Sequence, residues 1–165
     1  MPTKTLLDLF TDQLKDTYYA ERKILKALPK MARGAMSAEL KKAFETHREQ
    51  TEEHVARLQE VFEILGRPAR GKTCPAIDGI LEEGEEVLDT LKGASALDAG
   101  LIASAQAVEH YEMARYGTLV RWAEVLQLDE ASAILKRTLD EEKETDRLLT
   151  QIADETVNEA ALAAA

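Results

Sequence analysis

Glu109 and Glu112, inside the stretch QAVEHYEMARYGTL, most need a chemical explanation. They are three residues apart, so on a helix they project from one face. That face otherwise carries Ile102, Ala105, Tyr116 and Leu119, an apolar stripe. An ionised carboxylate in a low-dielectric core costs on the order of several kcal/mol unless something compensates it. Two together repel, and at least one takes up a proton. The same interruption recurs in three other stripes. Glu21 stands among Leu14, Tyr18, Leu25 and Leu28; His47, Thr51 and His54 stand among Leu40, Phe44 and Leu58; Thr138, Glu142 and Thr145 or Asp146 stand between Leu135 and Leu149. Four polar breaks at matching depth suggest one shared partner. Carboxylates with imidazole suit a pair of divalent cations such as iron, manganese or zinc.

The polar residues are not equivalent. His47 is the nitrogen ligand the stripe favours. His54 is two turns further on, about 10 Å along the axis at 1.5 Å per residue, and is expected at the core edge or surface rather than in one compact site with His47. His110 points about 100° away from Glu109 and reads as a packing residue against the short crossover helix or a support for a ligand, and only as a minor candidate ligand itself. Glu141 competes with Glu142 for the inward position, and Thr145 competes with Asp146. Tyr18 and Tyr116 are core residues within reach of the site as hydrogen-bond donors.

Five helical segments must position these groups. The spacing predicts long helices over about 5–33, 37–65, 95–127 and 129–158, and a short one over about 76–92. Thr5 with Asp8, and Ser95 with Asp98, have capping-box spacing, and Asp129 is placed to cap the last helix. Pro29 is expected to kink or end the first helix, because it lacks the amide that bonds one turn back. The run GRPARGKTCP, residues 66–75, is the clearest loop, and Pro75 suits a first helical turn. Long helices with short turns pack antiparallel; two such pairs joined by one long crossover form the ferritin-like arrangement. The expectation is one all-α domain over residues 1–165: a four-helix bundle with a short extra helix in the crossover between the second and third long helices.

Composition narrows the function classes. The chain has 165 residues, a net charge of −10 and few aromatics. Such acidity disfavours nucleic-acid binding, because phosphates would be repelled. No run approaches the ~20 apolar residues that span a bilayer. The start, MPTKTLLDLFTDQLKD, has no unbroken apolar core and does not read as a secretory signal. Cys74 is the only cysteine, which rules out an intrachain disulfide and fits a cytoplasmic location. The end, EAALAAA, reads as a fraying helical tail.

Four stretches, DTYYAERKILKALPKMAR, HREQTEEHVARL, AQAVEHYEMARYGTL and LDEEKETDRLLTQIA, resemble the YciE/YciF-type ferritin-like stress proteins. The similarity covers almost the whole chain in order, and ALPKMAR with EHYE…YGTL carries most of it. The resemblance implies a ferritin-like core, a homodimer, a dinuclear metal centre and a link to bacterial stress responses. By position it implies Glu21, His47, Glu109, Glu112, Glu142 and Asp146 as ligands. Iron is the first choice of metal, and oxygen or peroxide the expected small-molecule substrate. Two departures stand out: His47-x-x-Gln50 replaces Glu-x-x-His on the second helix, and Glu142-x-x-Thr145 replaces it on the last. Fewer nitrogen ligands put ordinary ferroxidase chemistry in doubt without arguing against metal binding.

Overall fold

A computed structural model describes residues 4–163 of the chain. Helix α1 spans Leu6–Gly34, α2 Ala38–Ile64, α3 Pro75–Thr90, α4 Leu97–Val125 and α5 Asp129–Ile152. A π-helical turn, Ala153–Val157, carries α5 into a short α6, Asn158–Ala163. The last helical stretch is thus interrupted where an unbroken helix to 158 was expected. The tail EAALAAA is helical as far as Ala163, and its last two residues lie outside the described part.

Helix ends explain themselves in part. Thr5 and Asp8 form the expected capping box: Thr5 Oγ1 accepts from the Asp8 amide, and the Asp8 carboxylate accepts from the Thr5 amide at 2.9 Å. Ser37 caps α2 through the Leu40 amide. The other two caps are corrections. No side chain caps α4 or α5. Asp98 instead reaches across the bundle and accepts from the backbone amides of Met36 at 2.8 Å and Ser37 at 2.6 Å. It ties the α1–α2 turn to α4. Pro29 does not end α1, because Leu28, Met31 and Ala32 stay buried on either side of it; packing of that face outweighs one missing backbone bond.

α1 packs on α2 and α4 on α5; α2–α5 and α1–α4 contacts close the ring, and α3 lies across α4 and α1. The crossover runs along α1. The Lys72 amide donates to the Lys15 carbonyl at 3.2 Å, and a Cβ on Gly71 would sit 3.2 Å from Tyr19 Cβ, so only glycine lets the loop lie so close without a shift. Among the described residues no helix is long and apolar enough to cross a membrane.

The core divides in two. One half contains Ile24, Phe44, Ile77, Leu101 and Leu149; the other contains Phe10, Leu14, Phe62, Leu119 and Leu135. Between the two halves, on all four long helices, lies a layer of buried polar residues.

Candidate metal centre

α1 contributes Glu21 to this layer, α2 His47 and His54, α4 Glu109 and Glu112, and α5 Glu142. All six are at most 3% exposed. The helical spacing does the placing: Glu109 and Glu112 are one turn apart on α4, and the apolar turns on both sides hold that face inward. Two groups form. His47, Glu109, Glu112 and Glu142 bring one ligand atom each within 4.8 Å of one another, and so do Glu21, His54 and Glu142. Glu142 belongs to both.

Sequence expectation and structure diverge at three residues. Asp146 does not join the layer. It lies on the outer α4–α5 seam, accepts from Gln106 at 3.2 Å and sits 3.3 Å from His110 Nε2. The reason is rotational: four residues past Glu142 is more than a full turn, and the excess swings the side chain from the inward face toward α4. His54, expected at the core edge, is fully buried inside the layer. The axial separation from His47 holds, but it places the two imidazoles in different groups rather than excluding one; their ring centroids are 6.2 Å apart. His110 is largely exposed and meets α5 rather than α3. Glu142 faces inward as expected, and Glu141 stands beside it in a different role.

That role is to orient His54. Glu141 Oε2 is 2.8 Å from His54 Nε2, and Arg57 donates to both Glu141 oxygens, at 2.7 and 2.9 Å. Burial would raise the Glu141 pKa, but Arg57 and His54 outweigh it and hold it below its usual value. An acceptor this well charged fixes the proton on Nε2 of a neutral His54. Nδ1 then presents a lone pair to the layer, 3.0 Å from Glu142 Oε1 and 3.4 Å from Glu21 Oε1. His47 is held the opposite way round. Its Nδ1 is 3.3 Å from Thr145 Oγ1 and 3.4 Å from Gln50 Oε1. Since the Thr145 hydroxyl donates to the Glu141 carbonyl, its oxygen accepts from Nδ1–H. His47 Nε2 therefore faces Glu109 at 3.2 Å and Glu142 at 3.7 Å. Tyr116 donates to Glu21 Oε1, whereas Tyr18 turns away to accept from Gln59.

The charges do not balance without a further partner. Burial raises Glu109 to about 8 and Glu142 to about 7, and lifts Glu112 well above the carboxylate range. Burial works against a charge on His54, yet its contacts with Glu142 and Glu21 raise it to about 11, so the neutral form with a free Nδ1 lone pair is the form a cation would select, not the metal-free one. Even so, Glu21 Oε2, His47 Nε2, His54 Nδ1, Glu109 Oε2 and both oxygens of Glu112 and Glu142 have no hydrogen-bond partner. Eight buried polar atoms left unpaired in one layer would be very costly in a core. Four carboxylates and two imidazole nitrogens, held by oriented neighbours, are a donor set that fits a pair of divalent ions.

Comparison with known proteins agrees with this architecture. The profile described as Domain of unknown function (DUF892) matches residues 5–162. The chain belongs to this family. Protein YciF of Escherichia coli (strain K12) is 42% identical over 162 residues, 98% of each chain. The crystal structure of the E. coli stress protein YciF superimposes with a TM-score of 0.90 over 94% of this chain and 99% of that one. YcfI of Rhodopseudomonas palustris, described as a proposed structural protein, gives 0.87 at 44% identity, covering 90% and 95% of the two chains. A Xanthomonas campestris protein at 23% identity, TM-score 0.72, shares the fold. The ferritin-like bundle read from the sequence is the fold of this chain.

In this DUF892 member two imidazoles, not one, are buried in the polar layer. α2 supplies both histidines, seven residues apart, and α4 supplies two glutamates. The Arg57–Glu141–His54 chain was not foreseen. Its signal in the sequence is Arg57, a cation three residues past His54 on the inward side of α2, which on a buried face calls for an anion.

Proposed function

We propose that this protein binds two divalent metal ions in the polar layer, iron first and manganese or zinc as alternatives, and acts in stress responses on oxygen or peroxide. The observation that carries this reading is the set of eight unpaired buried oxygen and nitrogen atoms converging from four helices. Glu109, Glu112, Glu142 and His47 would hold one ion, and Glu21, His54 and Glu142 the other. Glu142, common to both groups, would be shared between the two ions. Iron in this position would supply the electrons for reducing the oxidant. The chain's own residues orient and insulate: Glu141 and Arg57 set the tautomer of His54, Thr145 and Gln50 set that of His47, Tyr116 steadies Glu21, and the two apolar half-cores limit water. A homodimer and a cytoplasmic location belong to the same reading and follow from the family resemblance and the lone cysteine.

Metal analysis of protein purified without added metal tests it. About two equivalents are expected, falling to background in the Glu109→Ala/Glu142→Ala double variant while far-ultraviolet circular dichroism stays helical. Stoichiometric metal retained in that variant would sink the ligand assignment. A second reading is a non-catalytic helical interaction protein with a structural metal or none; the description of YcfI as a proposed structural protein favours it. Metal-free protein whose melting temperature ignores chelator would support that reading, and iron-loaded, reduced protein that consumes neither oxygen nor peroxide would reduce the centre to a structural one.

A further inference from the structure

Next to the polar layer, on the side of α3, lies a cavity of about 20 Å³. Its walls are apolar, with Ile24, Leu28, Phe44, Val108 and Leu149 among them, and it ends on His47 and Glu109. A second cavity of similar size lies outward under α3, bounded by Ile80, Leu88 and Gly84. Ala27, Met31, Leu81 and Val108 line both. The outer one reaches the surface at Lys30 and Glu85, whose exposed side chains form an ion pair at 2.8 Å.

Space for one water-sized body is present in each chamber, but a buried water needs two to four polar partners. In the inner chamber the polar lining is His47, Glu109 and Thr145. The Thr145 hydroxyl is committed to the Glu141 carbonyl and to His47 Nδ1. His47 Nε2 and Glu109 turn toward the other layer residues. The chamber is therefore almost wholly apolar along its walls, polar only at its His47–Glu109 end, and too small for an organic substrate. A molecule that needs no hydrogen bonds and is only slightly larger than water suits it.

We propose that the two chambers form an apolar passage by which dioxygen reaches the His47–Glu109 edge of the polar layer from the α1–α3 surface, with Ala27, Met31, Leu81 and Val108 as the shared wall. Its use rests on the function proposed above; its occupancy does not. The crossover helix α3 acquires a role: it roofs the passage rather than only spanning the bundle.

Dissolved oxygen is paramagnetic and speeds the relaxation of methyl groups it visits. Methyl spectra under several bar of oxygen, on diamagnetic protein both chelated and zinc-treated, read this directly. Relaxation at Met31, Leu81 and Val108 is expected to be several-fold faster than at Leu58 and Leu119 in the opposite half-core. Ala27→Leu, which fills the shared wall, is expected to bring it down to the level of those two. Should Ala27→Leu misfold, Ala105→Val narrows only the inner chamber and is expected to quiet Leu149, which lines that chamber alone, while Leu88 still responds. Met31 and Val108 responding no more than Leu58 and Leu119, or a response indifferent to both substitutions, would overturn the passage. Zinc-treated protein that binds no zinc yet keeps the oxygen response would refute the metal reading and leave the passage standing; bound zinc without the response would do the reverse.

Discussion

His54 and Glu141 are bonded across the α2–α5 interface at 2.8 Å, and the same carboxylate is gripped at both oxygens by Arg57. The pair lies just outside the polar layer, with His54 Nδ1 turned into it. Positioning groups of this kind commonly change metal affinity 10–100-fold when removed. Glu141→Gln is expected to keep the fold and the two-ion stoichiometry while weakening the second ion by about that factor. Competition against a chromogenic chelator measures it; unchanged affinity would separate Glu141 from the centre.

pH should act oppositely on metal-free and metal-loaded protein. In the metal-free state burial raises Glu109 and Glu142 from an ordinary 4.5 to about 8 and about 7. A raised carboxylate adds stability below its unfolded value and loses it as pH climbs through the folded one. His54, raised from 6.5 to about 11, works in the same direction above 6.5. The melting temperature of chelated protein is therefore expected to fall steadily from about pH 5 to about pH 8.5. Metal binding needs ionised carboxylates and neutral imidazole, so the extra stability given by metal should grow over that range. Thermal melts with and without chelator decide it, and a flat or rising chelated curve would contradict the buried-carboxylate picture.

Glu112 is the purest case of function opposed to stability. It is fully buried, and neither oxygen has a hydrogen-bond partner. Replacing it with leucine removes an unsatisfied group of roughly matching size. Glu112→Leu is expected to stabilise the chelated protein by about 1–3 kcal/mol in urea denaturation and to lose the ion held by the His47 group. A variant that is less stable without metal would mean that Glu112 has a structural partner in the native state.

Asp98 predicts a purely structural effect. It is buried and accepts two backbone amides from the α1–α2 turn. Asp98→Ala should cost about 2–3 kcal/mol, since charged acceptors form the stronger hydrogen bonds and both donors would be left wanting. Denaturant titration checks this. Metal content should stay unchanged, because the turn lies beyond the apolar half-core that separates it from the layer.

Some of this was legible in the linear chain and some was not. Glu21, His47, Glu109, Glu112 and Glu142 could be picked out because each breaks an apolar stripe, and burial of a stripe is a local, periodic property. Asp146 and His54 were placed wrongly relative to the layer for one reason. Periodicity describes a single helix, whereas the layer has thickness. His54 was set aside for being too far along the axis from His47, yet two groups sharing Glu142 have room for both. Asp146 is offered by the stripe as the alternative to Thr145 and by the family resemblance as a ligand, yet it faces the α4–α5 seam. Asp98 has the spacing of a cap for its own helix, and only the proximity of the α1–α2 turn shows that it serves another.

The order of amino acids by itself decided that the protein is all-helical, that four rods carry greasy faces with polar midpoints, and that one long connector must return across the bundle. Those properties follow from 3.6-residue periodicity and from where glycine and proline fall. Tertiary structure alone decided which polar midpoints meet, which nitrogen of each imidazole faces inward, and that α3 roofs an apolar passage. Each depends on the rotation and axial offset of one helix against another, and those are set by side-chain packing between segments distant in the chain.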